Sequence, residues 1–338
     1  MVDVKEYFRV PKEKVNDTLR TIIKVLPIMA FVPAFLILYS LYPANFEVTW
    51  KGRLFYVIFI WLASLEIIIS WENLTNRIKK LASARNAVFI TSFFLPTAYV
   101  IISNFFGLNT LITNWSQINN VGRPTEMPLS IEYLIFASFF VLLVWSEFGF
   151  AGFKESSISL AFLATIGIIY TIDTLYPAGT FTPFQVFVPT TSTLAANFLN
   201  MMGYRASFLP QTLLGTPILQ VQAANGVSAT FGIAWPCSGI ESILIYTVTI
   251  LVFLKKSTIT LMHRIAYFAV GAIVTYFINI LRIATIFIIQ INTGGGNTLT
   301  PQAQDFHNIY GGLYSIMWIL SYTLIIMGSE LLSSKFKT

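Results

Sequence analysis

Eight apolar runs, at about 21–42, 54–71, 86–106, 131–150, 158–176, 238–254, 265–291 and 310–331, constrain this chain more than anything else in it. A hydrocarbon core about 30 Å thick takes about 20 apolar residues of helix to cross, and most of the runs reach that length. No water inside lipid can satisfy a free backbone group, and runs this long exceed a barrel strand, so helices are expected. The expected fold class is an all-α polytopic membrane protein with about eight transmembrane helices, an outer β-hairpin and an interfacial helix. Composition agrees. Only 11% of the 338 residues are charged and 55% are hydrophobic, whereas soluble domains carry about a quarter charged residues.

Basic residues then set the orientation, because they collect on the cytoplasmic side of short loops. The N-terminal set is Lys5, Arg9, Lys12, Lys14, Arg20 and Lys24. The same side receives Arg77, Lys79, Lys80, Arg85, Lys154, Lys255, Lys256, Arg264, Lys335 and Lys337. The opposite side holds only Lys51, Arg53, Arg123 and Arg205, and Arg282 lies within a span. Both termini are expected in the cytoplasm, and the net charge of +6 reads as topology rather than as a nucleic-acid surface. The first twenty residues are too polar and basic for the apolar core of a signal peptide.

The expected organisation is a cytoplasmic segment 1–20, spans one to five over 21–176, an extracytoplasmic helix and hairpin over 177–236, and spans six to eight over 237–338. Outer loops fall at about 43–53, 107–130, 177–237 and 292–309. Asn114-Trp115-Ser116 is an outer sequon able to carry a glycan, whereas Asn16-Asp17-Thr18 and Asn73-Leu74-Thr75 face the cytoplasm.

Within the longest outer stretch, Phe187, Thr191, Leu194, Phe198 and Met201 recur at helical spacing. Two placements are open: a helix lying in the membrane interface, or one packed on the bundle. Further on, Leu219, Val221 and Ala223 alternate with glutamines. After Asn225-Gly226, residues Val227, Ala229, Phe231, Ile233 and Trp235 alternate with small or polar ones. This predicts a β-hairpin running straight into Trp235-Pro236-Cys237-Ser238-Gly239.

Three scarce residue types meet at that outer end. Cys237, the one cysteine, opens the sixth span; Arg282 lies in the outer part of the seventh; His307 stands just ahead of the eighth. Counted from the inner ends near Leu254 and Ile265, Cys237 and Arg282 are both 17 residues outward, or about 25 Å at 1.5 Å per residue. His307 sits slightly higher and can fold down over the other two. Each has an ordinary explanation: a packing cysteine, a snorkelling arginine, a loop histidine. An arginine that deep in a span is costly, and the shared level of all three favours chemistry.

A helix N-terminus and a guanidinium both favour thiolate over thiol, the nucleophilic form. An imidazole beside it takes the thiol proton and returns it to a leaving amine. A fixed cation stabilises a thiolate or an oxyanion. Possible supporting residues are Ser238, Asn279, Asp173, and Asp305 and Asn308 as orienters of His307. The only other histidine, His263, lies on the cytoplasmic side.

Pro236-Cys237-Ser238-Gly239-Ile240, the arginine of Asn279–Arg282, and His307 followed by Gly311 and Gly312 resemble the exosortase/archaeosortase family of membrane cysteine transpeptidases. An archaeal-type member is the expected branch. The resemblance covers about 190–325, and nothing in 1–130 adds to it. It implies Cys237 as nucleophile, Arg282 as oxyanion or thiolate partner and His307 as general acid/base. Some archaeal members carry a second arginine where this chain has His307. The implied substrates are secreted or surface proteins with a C-terminal sorting signal, whose new C-terminus passes to a lipid or another amine acceptor. Glu241 then either binds that amine, holds Arg282, or is a structural partner of it.

Rival classes remain. Intramembrane acids such as Glu66, Glu147 and Asp173 are the usual mark of a secondary transporter, with Glu66 and Lys24 able to pair. They lie at span ends, and no paired broken helices are evident. A non-catalytic envelope scaffold is the third reading. One cysteine and two histidines on opposite faces make no zinc site. Gly294-Gly295-Gly296, read as a flexible outer turn, lacks the lysine of a phosphate loop, so no cofactor is expected.

Overall fold

Proline placement decides how the first apolar run folds. The computed structural model describes residues 24–48, 51–74, 84–176, 185–213, 216–255 and 259–335. The first helix, α1 (Lys24–Leu41), breaks into a turn at Ala30 and Phe31 and resumes at Val32. Pro33 lacks a donor and its ring crowds the carbonyl one turn earlier, which accounts for the break. There follow α2 (Leu54–Ile69), α3 (Ala84–Phe105), α4 (Leu108–Ile118), α5 (Met127–Phe148), the short α6 (Phe150–Glu155) and α7 (Ser157–Leu175). The outer stretch contributes α8 (Phe187–Met201) and strands β1 (Arg205–Leu213), β2 (Thr216–Gln222) and β3 (Ser228–Gly232). A 3-10 turn (Trp235–Ser238) leads into α9 (Ile240–Leu254) and the long α10 (Leu261–Asn292). The chain closes with α11 (Pro301–Asp305), a π-helical turn (Phe306–Tyr310) and α12 (Gly311–Lys335).

The protein is mostly helical, with a small three-stranded sheet. Among the described residues, six helices are long and apolar enough to cross a membrane: Lys24–Leu41, Ala87–Phe105, Pro124–Phe148, Ser157–Leu175, Leu261–Asn292 and Pro301–Ile326. The other two expected spans, α2 and α9, are apolar but shorter. At 15 residues α9 rises about 22 Å, less than a hydrocarbon core. Outward-facing Leu36, Ile68, Ile273 and Leu324 are exposed, as helices wetted by lipid rather than water require.

Several charged groups inside the bundle are paired. Arg53 bonds Glu132 through Nε at 2.8 Å and Nη2 at 3.1 Å, and Tyr56 donates to the same carboxylate at 2.8 Å. Lys51 pairs with Asp173 at 2.9 Å and with Glu126, and Arg123 approaches Asp173 at 3.4 Å. Three of the four cations that break the charge bias are therefore explained by the acids they neutralise. The expected Lys24–Glu66 pair does not form. Lys24 donates to the Trp71 carbonyl at 2.6 Å and lies over the Trp71 ring. Glu66 instead caps α7, accepting from the Ile158 and Ser159 amides at 3.0 and 2.8 Å and from the Ser159 hydroxyl at 2.6 Å. Lys255 reaches it at 3.4 Å. A helix N-terminus presents free donors and a positive dipole end, so it outcompetes a flexible lysine. Replacing Glu66 by glutamine keeps one acceptor oxygen and removes the charge. Thermal unfolding in detergent should show a loss of about 1 kcal/mol; an unchanged midpoint would remove the cap from the stability account.

The outer stretch departs from expectation in three places. Helix α8 buries Val188, Thr191, Ser192, Ala195, Ala196 and Leu199 against α10 and the sheet. Phe187, Leu194 and Met201 of the predicted stripe are exposed instead. Small side chains at Thr191, Ser192, Ala195 and Ala196 allow close packing, with Val188 and Leu199 completing the contact face. Strand β1 was not legible, because Pro210 and a register shift between Phe208 and Thr212 interrupt its alternation. It lies at the edge of the order β1-β2-β3, where a missing donor is tolerated. The β2–β3 pairing matches the predicted hairpin, with Val221 opposite Ala229.

The third departure is the Gly294-Gly295-Gly296 turn, which is docked rather than simply an outer connection. Gly296 donates to the Ser228 carbonyl and accepts from the Thr230 amide at 3.1 Å, a bridge along β3. A Cβ on Gly295 would stand 2.5 Å from the Ser228 oxygen. The outer loop 107–130 is also largely helical. Its sequon lies in α4, with Ser116 fully buried and its hydroxyl donating to the Ile112 carbonyl at 2.7 Å. The segment 1–20, with Asn16, and the basic residues Arg77, Lys79, Lys80, Lys256 and Lys337 lie outside the described residues.

Candidate active site

The strand that carries the alternating pattern delivers the cysteine. After β3 the chain turns tightly at Trp235–Ser238, with Trp235 wholly buried as an anchor and the Cys237 amide donating to the Ala234 carbonyl at 2.9 Å. Gly239 ends the turn at φ 91°, a conformation that suits glycine, and becomes the N-cap of α9. A Cβ there would also lie 2.9 Å from the Asn279 amide nitrogen. Asn279 uses that nitrogen to donate to the Cys237 carbonyl at 3.0 Å. From the other side, the Thr191 hydroxyl donates to the Ser238 carbonyl at 3.2 Å and meets the Tyr276 hydroxyl at 2.7 Å. The cysteine is thus held by α8 and α10 rather than by its own helix alone.

Asn279 and Arg282 are one turn apart on α10 and share a face. Arg282 Nη2 donates to the His307 carbonyl at 2.7 Å, tying α10 to the π-helical turn. The guanidinium lies over Gly311, whose Cβ would come within 2.6 Å of Nε. A π-turn inserts an extra residue into the helix and so rotates what it presents; here it presents His307 and Asn308 to the interior.

Cys237, Glu241, Asn279, Arg282, His307 and Asn308 line one cavity of about 430 Å³, together with Asp173 and Arg123 at its far wall. Apolar walls come from Phe231, Ile233, Ile283 and Phe287. Glu241 Oε1, Arg282 Nε and His307 Nδ1 are buried with no hydrogen-bond partner among the described residues. Buried polar atoms without partners are rare enough that each needs an explanation. Here the explanation is a cavity built to receive a polar group.

Several expectations need correcting. Cys237 lies in the turn before α9, two residues short of the N-cap, so it does not open the helix. Burial pushes the Cys237 thiol above its ordinary value; Arg282 pulls it back only in part, and Glu241 adds to the rise. Asp305 is exposed and does not line the cavity. Asn308 accepts from the Gln304 amide at 2.9 Å, and no bond from either residue to the His307 ring is present among the described residues. The Ser238 hydroxyl is buried and donates to the Trp235 carbonyl at 2.6 Å, a turn-forming contact away from the cavity.

Residues that sequence reasoning missed are Thr191 and Tyr276 behind the cysteine turn, and Lys51 and Arg123 beside Asp173. The available signal was the scarcity of cations on the outer side. As the chain has one cysteine, alkylation reports on this turn alone. Asn279→Ala removes about 1 kcal/mol of holding energy and should raise the labelling rate of Cys237 several-fold. No change would mean that Thr191 and Gly239 suffice.

A family model described as transmembrane exosortase matches residues 49–325, most of the chain. Comparisons with curated proteins and with solved structures each give no match.

Proposed function

The chain belongs to the transmembrane exosortase family, and from that premise we propose that it is a sorting transpeptidase that works through a thioester on Cys237. Exosortases are membrane cysteine transpeptidases acting on proteins with C-terminal sorting signals, so a multi-pass membrane enzyme stands on the family itself. The residue roles are the reading proposed here. The single observation that carries them is the cavity shared by Cys237, Arg282 and His307, which three different elements supply.

His307 takes the Cys237 proton and the thiolate attacks the peptide carbonyl ahead of the substrate's membrane segment. Arg282 stabilises the oxyanion of the tetrahedral intermediate in a site of low dielectric. His307 then protonates the leaving amine, and the C-terminal segment departs. The thioester passes to an amine, with a lipid amine as the expected acceptor. In this reading α2 and α9 also cross, making eight spans, with both termini cytoplasmic and the cavity at the extracytoplasmic face. Two of the three carboxylates invoked for a transporter, Glu66, Glu147 and Asp173, have other work: Glu66 caps α7, and Asp173 neutralises Lys51 and Arg123.

The test is the intact mass of surface proteins that end in an apolar helix and basic tail. Cells with the protein should yield chains short of that tail and carrying added acceptor mass. Identical masses in cells with and without the protein would end the proposal.

A further inference from the structure

Glu241 occupies the first turn of α9, next along the wall from the cysteine turn. On its other side lies a second, very small gap walled by Phe55, Ile166, Ile169, Tyr170 and Leu244, with about 10 Å³ of space and no polar lining. That gap is at the lower limit for one water. The carboxylate is therefore backed mainly by hydrocarbon and aromatic rings, and its unpartnered Oε1 belongs to a residue that borders the cavity holding Cys237. Arg282 does not consume it: no salt bridge joins the two among the described residues, and Arg282 Nη2 is committed to the His307 carbonyl. A cavity with Arg282 and Arg123 on its walls would repel a cation everywhere else. Of the two carboxylates on its walls, Asp173 is already paired with Lys51 and Arg123, and Glu241 carries an unpartnered oxygen.

We infer that Glu241 is the entry subsite for a primary ammonium, the protonated form of the acceptor amine, which it binds beside Cys237 and deprotonates. The inference rests on the transpeptidase reading and deepens it. An ammonium has no lone pair and cannot attack a thioester. Its first proton passes to the Glu241 carboxylate. The free amine then attacks the acyl carbon: the carbon–nitrogen bond forms, the carbon–sulfur bond breaks, and the amine's second proton reaches the Cys237 sulfur through His307. The products are an amide and the free thiol, and Glu241 releases its proton to solvent before the next acceptor enters.

The single cysteine allows a test without substrate. The full-length protein in detergent is labelled with 2-aminoethyl methanethiosulfonate, which carries a primary ammonium, and separately with neutral methyl methanethiosulfonate. Both are attacked at sulfur by the same thiolate and expel the same methanesulfinate as the disulfide forms, so thiol ionisation and turn mobility cancel in the ratio of rates. The wild-type ratio should exceed that of Glu241→Gln by about tenfold or more, with Glu241→Asp between them. Equal ratios, within about twofold, would overturn the subsite. Should Glu241→Gln fail to fold, ethylammonium must still protect wild-type Cys237 from the neutral reagent better than tetramethylammonium does, since the latter has no proton to give. Equal protection overturns the inference as well. The outcome is separable from that of the mass experiment: processing with no charge selectivity removes only the subsite. Selectivity without processing removes the transpeptidase and leaves an ammonium site.

Discussion

Cys237→Ala should leave substrate proteins full length and membrane-held, with processed product reduced by at least about 10⁴-fold. The size follows from the kind of residue lost. When nucleophile, base and oxyanion partner act as one unit, removing the nucleophile costs nearly all of the covalent route. The fold should not suffer, because the side chain is half-buried beside a cavity and the turn is held by backbone contacts to Asn279 and Thr191. Equal amounts of detergent-extracted protein with equal thermal midpoints are the control. Cys237→Ser is the sharper variant. It keeps the geometry and a proton for His307 to take, but a hydroxyl ionises far less readily than a thiol. Burial already pushes the thiol up, and an alkoxide there is further out of reach. Product should stay below about 1% of wild type. A serine variant of ordinary activity would show that position 237 is not the nucleophile.

Much of this site was legible from spacing, and the reasons are specific. Helices in lipid rise a fixed distance per residue, so counting from the expected inner ends puts Cys237 and Arg282 at one level, and both line one cavity. The hairpin was readable because Val221 and Ala229 face one side with period two, and a short turn fixed their register. What failed has an equally physical cause. The apolar stripe of α8 left two placements open, interface or bundle; the helix packs on the bundle through a face rich in small side chains, while Phe187, Leu194 and Met201 stay exposed, because in lipid large side chains need no burial. Glu132 attracted no attention as the first acid of a span, although with Arg53 and Tyr56 it forms a buried polar cluster. Pairing between distant segments leaves no periodic trace in either. The same holds for Asp305, which is adjacent to the histidine turn in sequence but points away from the cavity. The π-turn rotates His307 inward, and one residue of helical phase decides which neighbour follows it.

Arg282→Lys should lower turnover by about 10²- to 10³-fold, with little change in the substrate concentration needed for half-maximal rate. The charge is retained, so a simple electrostatic role would tolerate the change. Arg282 does more than carry charge. Nη2 is fixed on the His307 carbonyl at 2.7 Å, and that leaves Nε buried and unpartnered along the cavity wall. A planar guanidinium can hold the histidine turn with one edge and meet a developing oxyanion with another. A lysine has one ammonium and must choose. Gly311 completes the arrangement, because a Cβ there would fall 2.6 Å from Nε and 2.8 Å from Cγ of the arginine. Its own backbone is ordinary helix at φ −62°, where alanine is the better helix former by about 1 kcal/mol. Gly311→Ala should therefore raise or preserve the thermal midpoint while cutting turnover by about tenfold, as the guanidinium is pushed off its position. The double variant decides whether the two effects are one. If Gly311 acts through Arg282, adding Gly311→Ala to Arg282→Lys should cost little further activity, since the displaced group is already gone. Fully additive losses would mean that the glycine serves the histidine turn instead, and that Arg282 is held by something other than the space above residue 311.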